Sequence, residues 1–459
     1  MSSRKILEDL QERDGALSLA TNAMQLLCEI YPICRSITGD GVRRTIDLLG
    51  QHVPLTGVEV PSGTLVFDWE VPLEWNVRQA YISNTAGERL VDFERHALHL
   101  LSYSAPVRAR MSLEELRPHL YSLPDHPDWI PYRTSYWRED WGFCLTQRQL
   151  DALPEGQYDV VVDTSLVPGS LTYAECKIRG ELDDEFLIFT HICHPALAND
   201  NASGLAVATL LAAELSRARP RLSYRFVFAP ATIGSITWLA CNVEAARALR
   251  GGLVVGLLGD SGPLTYKRSR RGNAEIDFIA ASAVRALDRS ARVVEFSPYG
   301  YDERQFCSPG FDLPVGRLTR SPNGEYPEYH TSADNPDLMS VDALANSVQA
   351  LAHIIDRIDS NRRLRRRDAN CEPRLGKHGL FRSTGGRGPQ EFEYALLWLL
   401  NQADGTHGPH DIAAAAGLPD SIVAAGVDAL LAAGLVEEVD RSTETLNPTA
   451  KSSSKSEAS

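Results

Sequence analysis

Residues 186–218 read FLIFTHICHPALANDNASGLAVATLLAAELSRA. An apolar run enters a pair of histidines, His191 and His194. An Asp between two Asn follows, and then small residues open a long apolar helix. An apolar run without polar alternation is how a strand buried on both faces reads, because no side of it is left for water. Strand, loop and helix in that order make up half of a βαβ unit. Open α/β sheets place their ligands outside the carboxyl ends of such strands. The stretch therefore predicts a fold class and marks one edge of it for chemistry.

Working outward, the same texture continues. SYRFVFAP, SITWLACNVEAARAL and GLVVGLLGD alternate strand, helix and strand. A helix over 274–287, strands near 293–296 and 313–318 and a long helix over 341–359 complete the pattern of an α/β sheet. Residues 17–52 are helical too, split by the loop YPICRSITGDG. Between these blocks, short alternating runs such as LVFDWEVP and YDVVVDTSL are broken by Pro, Gly and Asn, the pattern of a small β-rich domain. The expected organisation is an α/β domain from 1–55 and 174–362, with 56–173 inserted as a β-rich domain. A basic linker follows at 363–388, then a winged-helix-like domain at 389–446 and a disordered polar tail at 447–459. No internal repeat is visible.

Composition narrows the classes of function. The chain has 459 residues, 43% of them hydrophobic, and a formal charge of −14. That charge disfavours nucleic acid or an anionic membrane as the main partner. From Asp404 to Asp440 there is no Lys or Arg, so the expected winged helix lacks the cations that neutralise phosphates. No apolar run reaches the roughly 20 residues of a membrane span. The N-terminus lacks a secretory apolar core, and a cytoplasmic location is expected. The eight cysteines are scattered, as reduced thiols are.

Residues able to do chemistry gather at the expected strand ends. His191 follows one strand, Asp200 lies in the next loop, Asp260 ends GLVVGLLGD, and His330 stands in PEYHTSADN. Imidazole and carboxylate together suit Zn²⁺. Each carboxylate could equally cap a helix, since Asp before Ser-Gly is a common cap.

Residues 174–360 resemble the zinc aminopeptidase superfamily that includes glutamate carboxypeptidase and glutaminyl cyclase. Almost the whole chain is similar to a bacterial aminopeptidase-like family associated with polysaccharide biosynthesis. YPICRSITGDG, HICHPALANDNASG, ATIGSITWL, YDERQFCSPGFDLPVG and PEYHTSADN carry the match. The resemblance implies an α/β fold: a zinc-aminopeptidase-like mixed sheet with helices on both faces, an inserted β-rich domain and a C-terminal winged helix. It assigns His191, Asp200 and His330 as metal ligands, with Asp260 as a fourth ligand or a supporting acid.

The sequence departs from the superfamily in two places. Where an Asp orients the first metal-bound imidazole, this chain has Cys193. Where a Glu-Glu pair supplies a base and a ligand, it has Pro230-Ala231. One zinc per chain is therefore expected, and the base must come from elsewhere. Glu303, with Asp302 beside it, is the candidate; the alternative is a salt-bridged surface turn, and Glu328 stands in reserve. His194 is read in a supporting role, because Pro195 turns the chain after it. A Cys193–His194 nucleophile pair is disfavoured, since adjacent residues rarely face each other. Arg35 either clamps a substrate carboxylate or ties down its own loop, and Tyr329 is grouped with it as substrate-binding.

The expected activity is hydrolysis of an amide or peptide bond in a peptide or small N-acyl substrate. Self-association into a homo-oligomer is compatible with the sequence. The alternatives are acyl transfer or cyclisation on the same zinc scaffold, and a binding relative without catalysis.

Overall fold

The computed structural model describes residues 3–380 and 390–439. These divide into two compact units, one within 3–181 and 185–360 and the other mainly within 361–439. Among the described residues no helix is long and apolar enough to cross a membrane.

After a helix at Ser3–Gln11, the first unit has helices α1 (Arg13–Ile30) and α2 (Asp40–Leu49) and strand β1 (Thr56–Pro61). The insertion then supplies β2 (Glu74–Asn84), β3 (Arg89–Asp92), β4 (Val107–Ser112) and β5 (Gln157–Val167). These pair antiparallel in the order β3-β2-β5-β4. The main sheet resumes with β6 (Ser170–Ile178), β7 (Glu185–His191), helix α3 (Gly204–Ser216), β8 (Ser223–Ala229), helix α4 (Ile233–Cys241) and β9 (Leu249–Val255). It ends with β10 (Thr265–Lys267), helix α5 (Glu275–Leu287), β11 (Arg292–Val294), β12 (Val315–Thr319) and helix α6 (Val341–Ser360). The eight strands stand in the order β1-β6-β8-β7-β9-β12-β10-β11.

The expected mixed α/β sheet is therefore present. Strands β8, β7, β9 and β12 run parallel, flanked by antiparallel strands on both sides. From β7 the chain steps to β8 on one side, then crosses back to β9 on the other. Right-handed crossovers in opposite directions put α3 and α4 on opposite faces, so β8 and β9 are buried along their whole length. That reversal makes the carboxyl end of β7 a topological switch point, where a crevice opens between the diverging connections. His191 is the last residue of β7.

The insertion leaves and rejoins the sheet at one place. β1 pairs antiparallel with β6, with Pro61 opposite Ser170, so the inserted segment runs from 62 to 169. The 56–173 expected from texture was wider because β1 and the start of β6 look like the short strands beside them. Arg43 of α2 fastens this junction. It donates to Glu59 Oε1 at 3.0 Å and to both carboxylate oxygens of Glu74 at 2.8 and 2.7 Å. The pairing with Arg43 holds the Glu74 carboxyl down at about 2, well below its ordinary 4.5. A depressed folded pKa contributes stability that is present above pH 4.5 and lost as pH falls toward 2. Glu74→Gln is expected to lower stability by about 1–2 kcal/mol at pH 7, part of the pair being screened by solvent. The gap from wild type should narrow between pH 4.5 and 2; urea titrations at stepped pH check this.

The second unit contains β13 (Arg363–Arg366), α7 (Glu391–Gln402), α8 (Pro409–Ala416), α9 (Asp420–Ala432) and β14 (Val436–Val439). β13 and β14 form an antiparallel ribbon over a core that includes Leu364, Leu396, Leu399, Ile412, Val423 and Leu430. The basic run at 363–366 is thus not linker, as 363–388 was expected to be. Leu364 is buried in that core, and the arginines around it face an acidic strand. Arg362 donates to Glu438 at 2.6 Å, and Arg367 lies 3.8 Å from Glu437. Residues 381–389 of the expected linker, 440–446 of the expected domain and the tail at 447–459 lie outside the described residues.

Candidate metal centre

The site is built where β7 ends. His191 Nε2 lies 2.7 Å from Asp200 Oδ1, and His194 Nδ1 lies 3.5 Å from the same oxygen. His330 Nε2 approaches the other oxygen, Oδ2, at 3.1 Å. Donor atoms of His191, His194 and Asp200 all fall within 4.8 Å of one another, and all three residues are buried. Burial alone would raise Asp200, but the contacts with His194, His191 and His330 overturn it and hold the carboxyl well below its usual range. Burial keeps His330 below the ordinary histidine value despite the nearby carboxylate.

The two asparagines beside Asp200 explain how the loop is held. Asn201 Nδ2 donates to Thr190 Oγ1 at 2.8 Å and to the His191 carbonyl at 2.9 Å, while its Oδ1 accepts from Leu257 N–H at 3.2 Å. Asn199 Nδ2 donates to Asp260 at 2.8 Å, and its Oδ1 accepts from Gly259 N–H at 3.0 Å. Each side chain thus pins the loop to the segment leaving β9, fixing Asp200 between them. A Cβ on Gly204 would come within 2.3 Å of Asn201 Oδ1, which is why the helix behind the loop opens on glycine. Asp334 accepts from the backbone N–H groups of Asn199 and Asp200 at 2.6 and 3.1 Å; burial pushes its carboxyl up to about 7 against those bonds.

Aromatic rings close the sides. Tyr301 stacks on His191 with centroids 4.5 Å apart and donates to Asp200 Oδ2 at 2.9 Å. Burial, with the Asp200 charge, keeps the Tyr301 hydroxyl protonated by raising it well above its usual value. Tyr329 stacks on His330 at 3.9 Å, and its hydroxyl lies 3.0 Å from that of Tyr301. From the insertion, Tyr132 sets its ring edge-on to both His194 and His330. The Tyr132 N–H donates to the His330 carbonyl at 2.7 Å. His330 itself sits at φ 58°, in the left-handed region that side chains rarely adopt and that such cross-links can hold. His194 and His330 open onto a cavity of about 590 Å³, walled on its other sides by the insertion.

Several expectations need correction. Asp260 does not join the cluster: its oxygens accept from Asn199 Nδ2, Gly262 N–H, and the Ser321 hydroxyl and N–H, so it braces the loop instead. Glu303 is neither a free base nor part of a surface turn. It is buried, accepts from Lys267 Nζ at 2.9 Å, lies 3.9 Å from Arg317, and accepts the Tyr301 N–H at 3.1 Å. Two cations occupy it, and what it does for the site is hold the backbone of Tyr301. Asp302 is buried, and burial pushes its carboxyl up to about 8. It points to no histidine of the cluster through any hydrogen bond.

Arg35 is no substrate clamp. It is 1% exposed and donates to the carbonyls of Ile30, Ile33 and His194 at 2.6, 3.1 and 2.6 Å. That ties the end of α1 to the backbone of His194. His194, expected in a supporting role, faces Asp200 directly; its three-residue spacing from His191 was the available clue. Cys193 Sγ accepts from Ala231 N–H at 3.3 Å, and burial pushes its thiol up to about 12, so no Cys–His nucleophile exists here. Asn199, Asn201, Tyr132, Tyr301 and Asp334 went unread as site residues because each acts through a long-range contact.

The residues present fit a metal. His194 Nδ1, the nitrogen that faces Asp200, is buried without a hydrogen-bond partner among the described residues, a cost that coordination would relieve. Two imidazoles and one ionised carboxylate are a donor set suited to zinc. His191 Nδ1 is also without a partner among the described residues, and position 193 beside it is Cys, which offers no carboxylate to orient the ring.

The fold is an aminopeptidase-like α/β architecture. The solved zinc aminopeptidase of Bacillus subtilis shares this fold with a TM-score of 0.54 at 12% identity, over 73% of this chain and 94% of its own. A family model described as a domain of unknown function (DUF4910) matches residues 24–361, and one described as a winged helix-turn-helix matches 362–438. The chain belongs to the DUF4910 family and carries a winged-helix domain. A Clostridium acetobutylicum protein, named provisionally for polysaccharide biosynthesis with an aminopeptidase-like domain, is 47% identical over 415 residues. That alignment spans 90% of this chain and 95% of the relative. A crystal structure from the same organism, described provisionally as a peptidase, superposes with a TM-score of 0.81 at 45% identity. It covers 93% of this chain and 98% of its own.

Proposed function

We propose that this protein is a zinc-dependent amidohydrolase of aminopeptidase type, acting on a peptide or small N-acyl substrate. The observation that carries the reading is the convergence of His191, His194 and Asp200 beside a cavity walled by the insertion. These three residues would hold the ion, the number a catalytic zinc site uses when it keeps a position open. When bound, zinc supplies a Lewis acid for the scissile carbonyl and an acidified water.

The chain's own groups do the rest. Tyr301 holds His191 by stacking and Asp200 by its hydroxyl. His330 has 32% of its side chain exposed, against 1% for His191 and 9% for His194. His330, expected as a metal ligand, lies outside the group of three, anchored on Asp200 Oδ2 and facing the cavity; we read it instead as the base that takes the proton of the attacking water and passes it to the leaving amine. Tyr132 backs both cavity histidines and limits solvent around them.

The test is a panel of dipeptides and N-acyl amino acids incubated with zinc-loaded protein in ¹⁸O-water, read by mass spectrometry. Hydrolysis with one solvent oxygen in the acid product is the expected outcome. Cyclised or transferred products without that oxygen would replace this reading with its rival on the same scaffold. A second reading, a binding relative without catalysis, is favoured by Pro230-Ala231 standing where an acidic pair is expected. Full zinc occupancy with no turnover across the panel would favour it.

A further inference from the structure

The cavity beside His194 and His330 carries a cation that no carboxylate among the described residues neutralises. Arg133 lines it from the insertion, and among the described residues its guanidinium has no carboxylate partner and makes no hydrogen bond. The guanidinium lies over the ring of Tyr121, whose centroid is 5.2 Å from Cζ. The neighbouring Arg138 is already paired with Asp140, so the lining leaves one free positive charge.

The backbone around Arg133 is fixed to the centre. Pro131 bridges to Thr331, Tyr132 N–H donates to the His330 carbonyl, and Ser332 N–H donates to the Ile130 carbonyl at 2.8 Å. On its other side the Arg133 carbonyl accepts from Ser102 N–H at 2.9 Å. The segment that bears Arg133 is thereby laced to the segment bearing His330, and the guanidinium is presented to the cavity from a stationary base. A guanidinium is always charged, and its planar fork matches a carboxylate with two parallel hydrogen bonds. A phosphate dianion would meet only this single free charge, with the Asp140 carboxylate also lining the space. The remaining walls include Leu101, Tyr132, Tyr136 and Trp137, which favour an apolar or aromatic group beside the carboxylate.

We propose that Arg133 selects the substrate, and that the substrate class is an N-acyl amino acid or short peptide with a free carboxylate and an apolar side chain. This rests on the amidohydrolase reading for its chemistry, but the recognition is testable without turnover. The probes are N-acetyl-phenylalanine, its carboxamide, and phenyl phosphate. Binding is followed by calorimetry on metal-free and zinc-loaded wild type, Arg133→Ala and Arg133→Lys, each first checked for an unchanged circular dichroism spectrum.

The wild type is expected to bind the carboxylate about tenfold more tightly than the carboxamide, with or without zinc, as one exposed charge-assisted pair allows. In Arg133→Ala the preference should fall to about twofold or less, and Arg133→Lys should retain part of it. Equal binding of carboxylate and carboxamide by wild type, or phenyl phosphate binding best, would overturn the proposal. So would a preference that appears only with zinc and survives Arg133→Ala, since the carboxylate would then sit on the metal. A carboxylate preference in metal-free protein that takes up no zinc would sink the hydrolase reading and leave Arg133 standing.

Discussion

Zinc is expected to raise the melting temperature of the wild-type protein and to leave that of Asp200→Ala unchanged. At about a thousand times its dissociation constant, a ligand bound only by the folded state adds about 4 kcal/mol of stability. Asp200 is where that energy concentrates: one oxygen faces His191 and His194, the other faces His330 and Tyr301. Without it three imidazoles remain around a hole, and none replaces the only anionic donor of the group. Elemental analysis after dialysis should find about one zinc per wild-type chain and essentially none in the variant. Any amide hydrolysis should fall by about a thousandfold or more, as losing about 4 kcal/mol of transition-state stabilisation requires. The variant should still fold, because the Asp200 N–H keeps its bond to Asp334 and Asn199 and Asn201 keep theirs. Equal zinc content in both proteins would remove the metal centre from this account.

Asn201→Ala is expected to cost about 3 kcal/mol of stability and to loosen the metal centre with it. The side chain makes three buried hydrogen bonds, to Thr190, to the His191 carbonyl and from Leu257 N–H. Losing them strands buried polar groups on three segments, each at about 1–3 kcal/mol before relaxation. The amide also packs against Gly204 and Gly256, where any Cβ would clash with it, so its removal opens a space those glycines cannot fill. Chemical unfolding gives the stability change, and zinc titration of the same sample gives the weakened site. A variant within about 0.5 kcal/mol of wild type would show that the loop is held by something other than Asn201.

Much of this architecture was legible in local patterns. The unbroken apolar run before His191 announces a strand buried on both faces, and the structure buries it there. The small residues of Ala-Ser-Gly mark a tight helix start, and the structure gives the reason in the Asn201 contact with Gly204. Three helical periods after residue 390 matched the helices of the second unit. The insertion was legible as a change of texture, though its ends were blurred because β1 and β6 are as short and alternating as the strands they border.

The failures share one cause. Glu303 and Asp260 sit at positions where a free carboxylate would be useful, and their sequence neighbours do not reveal their partners. Those partners are Lys267 and Arg317 for Glu303, and Asn199 and Ser321 for Asp260. Arg35 failed as a clamp for the same reason, since its fork is spent on backbone carbonyls that include one from His194. The basic run at 363–366 looked like linker until β14, about 70 residues on, supplied glutamates opposite it.

By itself the sequence determined the elements, their order and the strand end at which chemistry collects, because periodicity and turn residues act through neighbours along the chain. Only the tertiary structure decided which polar groups are spent and which are free. It gave Glu303 two cations, closed His194 onto Asp200, and left Arg133 in the cavity without a carboxylate among the described residues. A charged side chain is neutralised by whatever packing brings within a few ångströms of it, and packing joins residues that lie tens or hundreds of positions apart.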